Sequence, residues 1–316
     1  MNKLQKHILQ AAGLLTGVLV IAAAGHHIAL QAEEKRLVPP GQLVEVDGRN
    51  IHVYCEGDRA QGPALVFLSG SGTVAPVYDF RPLYRLLSPH FPIAVVEKTG
   101  YGYSDISDVP RDVASMVDEV RRALAGADVP APYVLLPHSM SGLEAICWAQ
   151  TYPDEVAGII GLDMAVPHSY DDFDLGGARL SLAVGGLART FGIHRIPGVY
   201  PLSDLGLTAQ EQEQLALLMH RNAVNPVYAQ EGNAILDNVQ TVQAQPVPRC
   251  PILLFCSTGG QQFSPAWEET QREFADQTGG ELRILDCGHY LHYEKSPELA
   301  EAIGLFLQAK LLYERT

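Results

Sequence analysis

The chain has 316 residues, of which 47% are hydrophobic and 18% charged, and its net charge is −14. That length and apolar content suit one large α/β domain, or two ordinary ones, around a sizeable core. The acidic balance argues against nucleic-acid binding, which needs a clustered basic face. The five cysteines, Cys55, Cys147, Cys250, Cys256 and Cys287, form no C-x-x-C pair, so no zinc site is expected. Most lie inside apolar runs, where a thiol behaves as a small buried hydrophobe.

From Ile8 to Ala24 only Gln10 and Thr16 are polar, and Lys3 and Lys6 precede the run. This reads as an uncleaved membrane anchor, with a signal peptide as the alternative because Ala22-Ala23-Ala24 offers a small-residue cleavage site. A buried N-terminal helix is the bland third reading. The two lysines would keep the N-terminus cytoplasmic and put the remainder on the extracytoplasmic side. We assign residues 1–31 to this segment and 32–41, which carry Pro39-Pro40, to a linker. Gln42–Val46 and Asn50–Cys55 alternate around Asp47-Gly48, a hairpin signal.

Short continuous apolar runs follow at Ala64–Leu68, Pro92–Val96, Tyr133–Pro137 and Val156–Leu162, each of buried-strand type. Helices are expected at Tyr78–Ser88 and Val113–Ala127. Residues 165–249 break the alternation: Thr208-Ala-Gln-Glu211 is a capping box before Leu215, Leu218 and Met219, and Asn225-Pro226 opens a further helix. Alternation resumes with strands at Pro251–Cys256 and Leu282–Asp286 and helices at Ser264–Gln277 and Ser296–Leu312. Strands alternating with helices after an antiparallel start imply a mostly parallel sheet with helices on both faces.

Leu135-Leu-Pro-His-Ser-Met-Ser-Gly-Leu-Glu144 places Ser139 between a strand and a helix, with small residues at Ser141 and Gly142. That is the pattern of a nucleophile elbow, where the turn is so sharp that neighbouring side chains must be small. Pro137 and Ser141 stand where glycines are usual. A serine helix cap would explain the same residues more blandly. In an open α/β sheet, reactive groups collect at the carboxyl ends of strands. There the turn Leu68-Ser-Gly-Ser-Gly72 could place the backbone N–H of Ser71, with that of Met140, as an oxyanion hole. Alone it could be no more than a tight turn. Asp286-Cys-Gly-His289 follows the last strand, and His289 is the natural general base, with His292 as competitor. His138, beside the serine, should point away from the reacting side.

With these segments in hand, the chain resembles the α/β-hydrolase family. The resemblance is carried by Leu68–Gly72, Gly100-Tyr-Gly-Tyr-Ser-Asp105, Pro137–Gly142, Tyr152-Pro-Asp-Glu-Val-Ala-Gly158 and Gly288-His289 with Glu294-Lys-Ser-Pro297. It implies an α/β-hydrolase core over 42–164 and 250–316, a helical cap over 165–249 and a serine nucleophile. The acid that orients the histidine is usually in the loop after the strand Pro251–Cys256, but that loop has no carboxylate before Glu268. The other position used in the family, the end of the preceding strand, holds Asp163. The resemblance therefore implies Ser139, Asp163 and His289 acting together, with no metal or organic cofactor.

The implied reaction is hydrolysis of an ester, thioester or amide of a small, partly apolar substrate. An aminopeptidase-like version would use acidic cap residues among Asp171, Asp172, Asp174 and Glu231 to hold an amine. Leu180, Leu182, Leu187, Phe191, Leu215 and Leu218 could line an apolar pocket or simply pack. A membrane-tethered binding protein that keeps the fold without catalysis is the rival from another class.

Overall fold

The computed structural model describes residues 2–58, 62–196, 198–199 and 205–312. Among these, eight strands form: β1 (Gln42–Val46), β2 (Arg49–Glu56), β3 (Ala64–Leu68), β4 (Ile93–Glu97), β5 (Tyr133–Pro137), β6 (Val156–Leu162), β7 (Ile252–Ser257) and β8 (Glu281–Leu285). They join one sheet in the order β1-β2-β4-β3-β5-β6-β7-β8. β2 pairs antiparallel with β1 and β4, and every later pairing is parallel. The expected mostly parallel sheet with an antiparallel start is present. Asp47 and Gly48 both take positive φ, 50° and 74°, which is the geometry a two-residue hairpin needs to match strand twist.

The continuous apolar strands are buried on both faces because successive side chains point to opposite sides. Val66 and Leu68 of β3 join one core cluster, with Val117, Val120, Leu124, Ile146, Trp148 and Phe274 from the helices Val113–Gly126, Gly142–Thr151 and Trp267–Thr278. Leu65 and Phe67 of the same strand join the other, with Leu83, Leu87, Leu299, Ile303 and Phe306 from Arg81–Leu87 and Ser296–Leu307. Burying each such side chain is worth about 1.5–3 kcal/mol.

Three expectations shift. The helix expected from Tyr78 to Ser88 is two pieces, Pro76–Asp79 and Arg81–Leu87, because Pro82 cannot continue a helix begun before it. The last helix ends at Leu307, followed by a π turn over Gln308–Leu312. The first helix runs unbroken from Lys3 to Glu34, so part of the segment expected as linker is helical. That helix is long and apolar enough to cross a membrane, with a mean hydropathy of 2.0 in its most apolar window and none of that window buried. Between β6 and β7 the chain inserts the helices Leu175–Thr190, Ala209–Asn222 and Pro226–Gln243.

Candidate functional site

β3, β5, β6, β7 and β8 are consecutive neighbours, so the loops leaving their carboxyl ends lie side by side along one edge. The sequence candidates occupy those loops. Ser139 follows β5 and has φ of 54°, a left-handed conformation uncommon for a serine. It begins a 3-10 turn, Ser139–Ser141, that runs into the helix Gly142–Thr151. The turn is crowded as an elbow should be. A Cβ on Gly142 would stand 2.1 Å from the Ala165 carbonyl, and one on Gly70 would stand 2.7 Å from Ser139 Cβ. The Ser139 carbonyl accepts from Ala165 N–H at 2.8 Å, tying the elbow to the loop after β6.

Ser141, in place of the usual glycine, adds a bridge. Its hydroxyl accepts from His138 N–H at 3.0 Å and lies 2.7 Å from the Leu68 carbonyl, to which it donates. The ends of β3 and β5 are thereby stitched beneath Ser139. Of the turn after β3, Gly70 presses on Ser139, whereas Ser71 is exposed. Met140 is 8% exposed, just past the serine.

Asp163 follows β6, is wholly buried and also has a positive φ, 48°. Its carboxylate accepts four hydrogen bonds. Oδ1 receives Ser257 N–H at 2.8 Å and Trp267 Nε1–H at 2.8 Å; Oδ2 receives Ser257 Oγ–H at 2.5 Å and His289 Nδ1–H at 2.7 Å. Ser257 N–H and Trp267 Nε1–H can only donate, so the carboxylate faces them as an acceptor. With Oδ2 accepting as well, Nδ1 of His289 is the donor of that pair, and Nε2 is the ring nitrogen left to accept. The structure thus brings Asp163 and His289 together, in the loops after β6 and β8.

The competitor His292 is engaged elsewhere: its Nε2 bonds Asp79 Oδ2 at 2.9 Å, and Tyr293 O–H also donates to Asp79. His138 packs under the site, its ring 4.6 Å from that of His289 and 4.7 Å from that of His292, with Nε2 donating to the His289 carbonyl at 3.1 Å. Burial, together with the repulsion of any charge on His289 or His292, holds its pKa well below 6.5, so it is a neutral prop. Burial, with the Asp163 charge, pushes the Cys256 thiol up to about 12, and burial with Glu294 pushes Cys287 up to about 11. Neither thiol is an available nucleophile. No disulfide and no cluster of metal-ligating side chains occurs among the described residues.

Sequence reasoning missed Ser257, Trp267 and Phe263. Ser257 stands at the end of β7 and bonds the Asp163 carboxylate after β6 through its backbone N–H and its hydroxyl. Trp267 opens the next helix, and nothing in its local pattern marks it. The Phe263 ring lies 4.5 Å from that of His289 yet the residue is 58% exposed, an apolar contact beside the imidazole. Three of the four acidic residues considered for an amine have other partners: Glu231 bonds Arg111 at 2.9 Å and also accepts from Tyr101, Asp174 caps Leu175–Thr190, and Asp171 bonds His168 at 3.0 Å. Glu268 pairs with Arg272 at 2.7 Å on the surface. Leu215 and Leu218 are buried, whereas Leu180 and Leu187 face outward.

Residues 65–302, well over half of the chain, match the model of the family described as "Alpha/beta hydrolase family". The chain belongs to the α/β-hydrolase family. A Bacillus subtilis (strain 168) relative, uncharacterized protein YbdG, is 40% identical over 185 residues, covering 58% of this chain and 56% of its own length. The chain thus spans little more than half of that curated relative. A putative lipase from Acinetobacter baumannii superposes with a TM-score of 0.66 at 16% identity, over 90% of this chain and 96% of the lipase. The enol-lactonase of Burkholderia xenovorans superposes with a TM-score of 0.58 at 19% identity, over 84% of this chain and all of the enzyme. At these identities the two structures speak for the shared fold, and this α/β-hydrolase carries it from β3 to the last helix.

Proposed function

We propose that the protein is a serine hydrolase that cleaves an ester, thioester or amide of a small, partly apolar substrate through an acyl-enzyme. The observation that carries this reading is the Asp163–His289 pair at 2.7 Å, with the acid saturated by Ser257 and Trp267. In this reading His289 Nε2 takes the proton from Ser139 Oγ as that oxygen attacks the carbonyl. The negative oxygen that develops is held by backbone N–H groups of Met140 and of the turn at Ser71. Nε2 then hands its proton to the leaving group, and water repeats the sequence to release the acid. Asp163 keeps the tautomer and stabilises the imidazolium. The fold neighbours named for lipase and lactonase activity favour ester-like substrates.

We further read residues 165–249 as a cap over this core, and the helix Lys3–Glu34 as an anchor that holds the core on the extracytoplasmic side of a membrane. The test of the chemistry is labelling of the full chain by a fluorophosphonate probe, alongside Ser139→Ala and His289→Ala. Labelling of the wild type that disappears in both variants is expected. A folded wild type that takes no label would overturn the mechanism and put a non-catalytic binding role first.

A further inference from the structure

The cap carries an apolar face turned the wrong way for water. No residue of the helix Leu175–Thr190 is buried. Leu180, Val184 and Leu187, spaced to share one helix face, are 66%, 59% and 61% exposed. Past the helix, Ile193, Ile196 and Val199 are 41%, 55% and 52% exposed. The helix contains no Asp or Glu, although the chain has a net charge of −14. A helix against water would place its charges on the open side. This one opens Leu180, Val184 and Leu187 there beside Arg179, while Gly177, Ala178, Gly185 and Ala188 are partly covered.

The stripe is continuous with the point where the N-terminal helix leaves the body. Arg195, between Ile193 and Ile196, donates to His26 Nδ1 at 2.7 Å and to both Glu33 oxygens at 2.8 and 2.7 Å. The His26 ring meets the His194 ring edge-on at 5.1 Å, and Glu34 pairs with Arg221 at 3.0 Å. The last turns of the helix are therefore bolted to the cap. The apolar run ends at Ala24, less than one turn before His26 and about two and a half turns before Glu33, so a bilayer entered by that run would have its surface near the His26 end of the Arg195 contacts. Ile193 and Ile196 flank His194 and Arg195, the two residues that touch His26.

We infer that Leu180, Val184, Leu187, Ile193, Ile196 and Val199 form a second membrane contact, lying in the interface of the leaflet that the N-terminal helix enters. The occupant is the acyl and headgroup boundary of a phospholipid leaflet. The juxtaposition of an unpartnered apolar face with the exit of a spanning-length helix carries the inference, which rests on the anchor reading above. An interfacial helix buries its apolar face about 5–10 Å into this boundary. The cap would then be held against the membrane at two places, and its orientation over the core fixed by the bilayer.

The test uses the full chain in phosphatidylcholine vesicles with bromine on the lipid tails, which quenches tryptophan by contact. The native Trp148 and Trp267 are 0% and 4% exposed and supply a constant background. Leu187→Trp and Ile196→Trp report the stripe, Val18→Trp the spanning helix, and Glu273→Trp an exposed position on the core helix Trp267–Thr278. Added emission in the first three variants is expected to drop by roughly half as the ring enters the lipid boundary, with Glu273→Trp unchanged. Quenching at position 18 with none at 187 or 196 would overturn the inference and leave the anchor standing. Shielding of 187 from aqueous acrylamide without lipid quenching would assign the face to a second copy of the chain instead. No quenching at position 18 would remove the anchor and this inference with it, while leaving the labelling of Ser139 untouched.

Discussion

Replacement of Asp163 by asparagine separates the orienting acid from a merely structural carboxylate. The four partners decide which way the amide lies. Ser257 N–H and Trp267 Nε1–H, at 2.8 Å each, can only donate, so they demand an oxygen at the Oδ1 position. Ser257 Oγ and His289 Nδ1, at 2.5 and 2.7 Å, can each switch from donor to acceptor. The variant's NH₂ therefore takes the Oδ2 position and donates to Nδ1. That tautomer puts the ring proton on Nε2, which then cannot accept the proton that the proposed mechanism takes from Ser139. Asparagine tolerates the left-handed φ of 48°, so the backbone is not disturbed. The expected loss is about 10⁴ in kcat, or roughly 5.4 kcal/mol of barrier, with KM little changed. Initial rates on p-nitrophenyl butyrate, with near-ultraviolet circular dichroism to show that the fold is kept, make the measurement. A folded variant within tenfold of the wild-type rate would refute the reasoning and leave Asp163 as scaffold.

Two further outcomes follow from the same cluster. Trp267→Phe keeps the ring but removes the Nε1–H that bonds Asp163 at 2.8 Å; urea melts should show a loss of about 1.5–3 kcal/mol, as for a bond to a charged group. For His138 the neutral form is the one held in the fold, so below the ordinary value of 6.5 the unfolded chain binds one more proton and stability falls as pH falls. The slope from this residue is about 1.4 kcal/mol per pH unit, present until the pH reaches its much lower folded value. Glu144, whose carboxyl burial pushes up, acts with the opposite sign above 4.5, and His194, lowered by burial, adds to the loss. Comparing wild type with His138→Phe cancels both. Urea melts at neutral and mildly acid pH should show the wild type losing stability faster than the variant, and equal slopes would refute the assignment.

Much of this architecture could be read from the chain because it rests on local signals. The strands Ala64–Leu68, Tyr133–Pro137 and Val156–Leu162 form at the bounds their apolar runs suggest, since parallel strands buried on both faces leave no alternation to misread. The Asp47-Gly48 turn states its own geometry. Asp163 could be nominated as the acid because the family offers two positions for one and only one holds a carboxylate. What could not be read is whatever depends on contact across the sheet. Trp267 is 104 residues from Asp163 in sequence, and no periodicity links an indole at a helix start to a carboxylate after another strand. The exposure of Leu180 and Leu187 was equally hidden, because a period of 3.6 marks an apolar face without saying what it meets.

The departures at the elbow and at the acid compensate one another locally. Pro137 has no N–H, so the last residue of β5 offers no donor to its neighbours. β5 pairs with β3 as far as Leu68–Pro137, and beyond that the join is made by His138 N–H to the Leu68 carbonyl at 3.0 Å and by the Ser141 hydroxyl to the same carbonyl at 2.7 Å. A glycine at 141 could not make the second bond, so the serine that breaks the usual pattern supplies a donor where the proline removes one. The acid follows the same logic. In the proposed mechanism it sits at the end of β6 and needs donors facing it from β7, and Ser257 supplies two, from its backbone and from its hydroxyl. Each unusual residue therefore has its counterpart on the neighbouring strand, and the Asp163–His289 geometry is preserved by a different set of residues rather than lost.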